Sequence, residues 1–174
     1  MPALRFDDHL PVIDPSAFVA PDAWAIGEVS VGKDCCILFG VVLRGDILPI
    51  IIGDGSNAQE HSVFHTTTGQ TPTIVGKNVT VGHSAILHGC TVQDSCIIGM
   101  HSTILDGAVI PSNCIVGANS LVPLNFKGEE GTLIVGSPAK VKRTLRPEEI
   151  EQIQESARHY QEKGRAYKVL LPSA

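Results

Sequence analysis

Residues 92–121 read VQDSCI IGMHST ILDGAV IPSNCI VGANSL. These are successive blocks of six in which the first side chain is aliphatic (Val92, Ile98, Ile104, Ile110, Val116) and the fifth is small (Cys96, Ser102, Ala108, Cys114, Ser120). Self-similarity at a short fixed period signals a stacked repeat and outranks helix or strand patterning. The same pattern runs upstream. From Val19 the chain gives VAPDAW, AIGEVS, VGKDCC, ILFGVV and LRGDIL, then IGDGSN and AQEHSV, then VGKNVT and VGHSAI, with a one-residue slip after Leu87. The physical reading is a triangular coil of three six-residue sides, with first and fifth side chains pointing inward. Stacked coils pair by parallel ladders about 4.8 Å apart. A narrow prism needs small fifth residues, and an ordinary sandwich is a poor fit because two-residue alternation does not persist.

The fold class is therefore all-β, a parallel β-helix of hexapeptide repeats over residues 1–145, followed by a C-terminal α-helix within 146–174. Pro147 suits a first helical position, Glu148 and Glu149 suit a first turn, and Ile150, Ile153, Ala157 and Tyr160 recur at helical spacing. This helix is expected to pack along the prism or on a neighbouring subunit, protecting an otherwise open stack.

A net charge of −5, with no basic run, argues against nucleic acid as a partner. No uninterrupted apolar stretch of about 18 residues is present, and residues 1–8 lack the pattern of a secretory leader, which points to a cytoplasmic protein without membrane contact. The cysteines (Cys35, Cys36, Cys90, Cys96, Cys114) are odd in number and form no C-x-x-C pair, so they read as small core residues.

The interruptions assign residues to faces. If Leu43 to Ile52 is one side with three extra residues, and Phe64 to Val75 one side with five, then Leu43, Phe64 and Leu87 lead the same face in consecutive coils. The outward residues that follow them, Arg44, His65 and His88, form a column. Ala58 and Val81 lead a second face, which sets Gln59 and Glu60 one coil from His83. His65 and His88 can share one zinc ion at the usual metal–nitrogen length of about 2.0–2.1 Å. His83, on another face, completes the site only from a second subunit, as a three-fold assembly of identical prisms allows. Three imidazoles leave an open position for water, the arrangement of catalytic zinc, whose bound water has a pKa lowered to about 7. His61 and His101 have no matching column and read as structural or rim residues. Asn57 reads as a turn cap.

The residues LRGD (43–46), NAQEHSVFH (57–65), VGHSAILHGC (81–90), IIGM (97–100) and GSPAKVKR (136–143) together resemble the gamma-class carbonic anhydrase family, particularly its compact bacterial and archaeal members, some called ferripyochelin-binding proteins. The resemblance spans nearly the whole chain. It implies a left-handed helix, a homotrimer, and zinc held by His65 and His88 with His83 from the adjacent subunit. It implies reversible hydration of CO2 to bicarbonate, an intersubunit Arg44–Asp46 pair that helps hold bicarbonate, Gln59 as the residue orienting the metal-bound water, and Tyr160 near the site. Imidazole ligands suit Fe2+ and Co2+ as well.

Two departures bear on rate. Glu60 stands where the family usually has Asp, and residues 66–73, TTTGQTPT, carry no carboxylate to relay a proton. The competing readings are a metal-binding trimer of little hydratase activity, serving as a scaffold or with a siderophore, and a CoA-dependent hexapeptide acyltransferase. The latter needs only one histidine as general base.

Overall fold

The computed structural model of the chain describes residues 3–171. The chain winds into a left-handed parallel β-helix of about seven turns with one C-terminal helix. Three faces emerge from the strand pairings. On the first, Trp24, Val42, Val63, Ile86, Thr103 and Leu121 lie in register, and each is followed by an inward residue of the core. The second stacks Phe18–Val19, Cys36–Ile37, Asn57–Ala58, Thr80–Val81, Ile97–Ile98 and Ile115–Val116. The third stacks Val12–Ile13 under Ser30–Val31, then Ile51–Ile52, Ile74–Val75, Thr91–Val92 and Val109–Ile110.

First and fifth positions of the blocks do face inward. Phe64, Leu87, Ile98, Ile104 and Ile110 are fully buried, and so are the small partners Cys96, Ser102 and Cys114. Burial pushes the thiols of Cys35, Cys36, Cys90 and Cys96 up to about 12, so they are inert packing groups. One fifth position departs from the rule. Ile47 is 40% exposed because the ladder register jumps from Gly27 opposite Gly45 to Val29 opposite Ile50, leaving the intervening residues to loop outward.

The helix Pro147–Leu170 starts at the expected proline and lies along the second face of its own prism. Ile153, Ala157 and Gly164 are its buried residues. A Cβ on Gly164 would stand 3.3 Å from Cys36 Cβ, so glycine there sets the close approach. Tyr167 stacks on Phe18 with ring centroids 5.2 Å apart. The helix therefore covers a side wall rather than an end. The far end is closed instead by an antiparallel hairpin, Thr132–Gly136 with Ala139–Thr144, which the hexapeptide pattern did not announce. Residues 1–2 and 172–174, the outer limits of the two expected segments, lie outside the described residues.

Candidate metal centre

His65 and His88 are direct ladder partners on the first face, as the column count required. Their ring centroids are 5.1 Å apart, and His65 Nδ1 meets His88 Nε2 at 3.1 Å. A tetrahedral ion with metal–nitrogen bonds of about 2.0–2.1 Å holds neighbouring ligand nitrogens about 3.3 Å apart. The two rings are thus set at the spacing of two corners of such a site.

The remaining ring nitrogens face carboxylates. His65 Nε2–H donates to Asp46 Oδ1 at 3.2 Å, and His88 Nδ1–H donates to Asp106 Oδ2 at 3.0 Å. On the second face, Glu60 Oε2 lies 2.7 Å from His83 Nδ1, off the ring's N–H direction, and has no aligned hydrogen bond among the described residues. His83 keeps 45% of its side chain exposed. Metal-binding histidines characteristically offer one nitrogen to the ion and the other to a carboxylate. Here Asp46, Glu60 and Asp106 serve three imidazoles, and the nearby Arg44 is paired with Asp46. Three carboxylates against one guanidinium leave two negative charges, which a divalent cation balances. The donor chemistry and the charge both fit such an ion. Within one chain, no three His, Cys, Asp or Glu side chains converge on a single ion position among the described residues.

Arg44 Nη1 donates to Asp46 Oδ2 at 2.7 Å within one chain. Residues two apart in a strand point to the same side, so the contact is local. Burial pushes the Asp46 carboxyl up, but the Arg44 hydrogen bond and charge and the His65 contact outweigh it and hold the group below its ordinary value. Burial, then the Arg44 charge, depress His65, which keeps this ring neutral and able to ligate.

Gln59 is only 5% exposed and precedes Glu60 on the second face, one coil from Gly82 and His83. Tyr160 belongs to the helix over that same face, half-buried, with its hydroxyl pKa raised by burial and then by the Glu60 charge. The expected site residues thus fall into two groups. Arg44, Asp46, His65 and His88 share the first face, while Gln59, Glu60, His83 and Tyr160 belong to the second.

Asn57 is not a turn cap. It is buried in a strand, and its amide donates to Thr80 Oγ1 at 2.9 Å beneath the helix, where Thr80 Oγ1 lies 3.0 Å from Ser156 Oγ. His61 and His101 do have a column: with Gly40, Ser84 and Asn119 they occupy one corner of successive coils, all at positive φ. The residues that sequence reasoning passed over are Asp106 and Thr73. Asp106 follows His88 by 18 residues, one full coil, so the period held a signal that could have found it.

No protein-family model matches the chain. It is 43% identical over 165 residues to gamma carbonic anhydrase 1 of Arabidopsis thaliana mitochondria, and the match takes in 92% of this chain and 60% of that one. It is 42% identical over 160 residues to a carbonic anhydrase of Geobacillus kaustophilus, with 92% and 87% covered. The chain belongs to the gamma carbonic anhydrase family. This gamma carbonic anhydrase relative spans about three fifths of the length of the plant proteins. It is also 41% identical to the carnitine operon protein CaiE of Escherichia coli, over 90% of this chain and 80% of that one. Among solved structures, a Bacillus cereus protein with a provisional acetyltransferase description superposes with TM-score 0.94 at 41% identity, covering 97% of each chain. A hexapeptide transferase family protein of Anaplasma phagocytophilum does so at 0.90 and 39%, covering 95% of this gamma carbonic anhydrase relative and 97% of that chain.

Proposed function

We propose that this protein catalyses the reversible hydration of CO2 to bicarbonate at a divalent metal site between the subunits of a homotrimer. In this reading His65 and His88 of one protomer and His83 of its neighbour hold the ion, zinc first, with Fe2+ and Co2+ as chemically competent substitutes. The observation that carries the reading is the His65–His88 pair at ligand spacing, each ring with its other nitrogen bonded to a carboxylate, together with His83 close beside Glu60. When bound, such an ion supplies Lewis acidity that brings the pKa of a coordinated water to about 7.

The chain's own residues do the rest. Asp46 and Asp106 hold the His65 and His88 rings in the tautomers that leave Nδ1 and Nε2 free. Gln59 orients the attacking water from the second face. Arg44, anchored by Asp46 yet partly exposed, offers its remaining N–H groups to bicarbonate. Tyr160 lines the same region from the helix. Residues 66–73 contain no carboxylate to carry the proton away, so Glu60 and buffer are left with that task and turnover is modest.

A second copy also accounts for an apolar column. Trp24, Ile86 and Leu121 are exposed on the first face in register with half-buried Val42 and Val63, two residues short of Arg44, His65 and His88 along their strands. The neighbour that brings His83 covers it. Buried free thiols suit a reducing compartment, in keeping with a cytoplasmic location. No helix among the described residues is long and apolar enough to cross a membrane. Acyl transfer, suggested by the descriptions of the two solved relatives, employs one histidine as base and leaves the other two with their carboxylates unexplained. Stopped-flow CO2 hydration by zinc-loaded and iron-loaded protein tests the reading. Rates equal to buffer with both metals would end the enzyme assignment and favour a metal-binding scaffold.

A further inference from the structure

We propose that Asp106 is a positioning residue for the metal centre, fixing His88 through its Nδ1, and that Gly89 is the glycine that makes this contact sterically possible. The inference rests on the reading of His65, His83 and His88 as ligands. Asp106 occupies the third position of the block ILDGAV, one coil above His88, and its carboxylate reaches back to accept the His88 Nδ1–H at 3.0 Å. The approach is narrow. Gly89 turns the corner after His88 at φ +55°, and a Cβ at that position would overlap Asp106 Oδ1. The Gly89 N–H is meanwhile bound to the His65 carbonyl and to Thr73 Oγ1, so the corner cannot move aside without disturbing the strand that carries His65.

Asp106 Oδ1 is buried with no donor among the described residues, so His88 is the carboxylate's polar partner there. A mainly buried carboxylate with one neutral hydrogen-bond partner is expensive to fold around. Its return is on the ring: the acceptor holds the Nδ1–H tautomer, aims the Nε2 lone pair toward His65 Nδ1, and makes that lone pair more basic. The residue touches no reacting atom and acts only through His88.

The test is metal affinity of the full-length protein, by competition between a chelator and Zn2+, with the visible spectrum of the Co2+ form as a geometric readout. Asp106→Ala is expected to raise the dissociation constant about 10–100-fold and to change the Co2+ spectrum. Asp106→Asn, which keeps an acceptor but no charge, is expected to fall between. Asp106→Leu fills the same corner without an acceptor and serves if the alanine variant does not fold. Wild-type affinity and spectrum in a folded Ala or Leu variant would overturn the role of Asp106 while leaving the ligand set intact. If instead His65→Ala, His83→Ala and His88→Ala bind zinc as the parent does, the reading of the centre itself fails, and this inference with it.

Discussion

Thr73 shows how much of the centre depends on one small side chain. The excursion of residues 66–72 leaves the ladder just after His65, and the buried Thr73 hydroxyl restores the link by donating to the His65 carbonyl at 2.7 Å and accepting from the Gly89 N–H at 2.8 Å. The two strands that carry the paired histidines are thus pinned at their ends. Thr73→Val keeps the shape and removes both bonds, so it should lower stability by about 1–2 kcal/mol and weaken zinc binding, while Thr73→Ser should behave as the parent. Equal melting temperatures and zinc affinities for the Val and Ser variants would refute the pinning. Legibility at this scale followed the period. His65, His83 and His88 could be placed because outward positions inherit their face from the lead residue. Asp106 was missed because an aspartate one coil beyond His88 looks like an ordinary corner residue until its reach toward that ring is seen.

The helix Pro147–Leu170 was legible as an element because proline, first-turn glutamates and an apolar stripe coincide, yet its docking surface was not, since the stripe says only that something must be covered. Its start is tied down by Glu149, which accepts two hydrogen bonds from Arg143 at 2.8 Å each and one from the Arg146 backbone N–H at 2.8 Å. The Arg143 hydrogen bonds first, then the Arg146 N–H, bring the Glu149 carboxyl from 4.5 down to about 2. A carboxyl whose pKa is lowered by folding adds stability that is complete above its unfolded value near 4.5 and is lost as pH falls toward 2. The melting temperature of Glu149→Gln should therefore lie below that of the parent at pH 6, and the gap should close between pH 4.5 and 2. A gap independent of pH would mean that the anchoring is not ionic. The closing hairpin, by contrast, begins after the six-residue pattern has ended at Leu121, where no period remained to point to it.

At the scale of the whole molecule, a prism with a two-histidine column on one wall and a third histidine on another raises the question of which copies meet. Each proposed site takes His65 and His88 from one protomer and His83 from the next, so two differently damaged chains should repair one another. His83→Ala and His65→Ala proteins should each purify as folded trimers with little zinc, because these side chains project from the walls and are not part of the core. Unfolding and refolding them together lets a chain with intact His65 and His88 sit beside a chain with intact His83. For random assembly at equal amounts, that adjacency, in the one direction that works, occurs at about a quarter of sites in a cyclic trimer. Elemental analysis of the mixed trimer should therefore recover about a quarter of the parent's zinc, with hydration activity returning in proportion. A site contained within one chain would recover none, since neither chain holds all three ligands. A mixture as empty as its components, with light scattering still reporting trimers, would show that the third imidazole does not cross between copies.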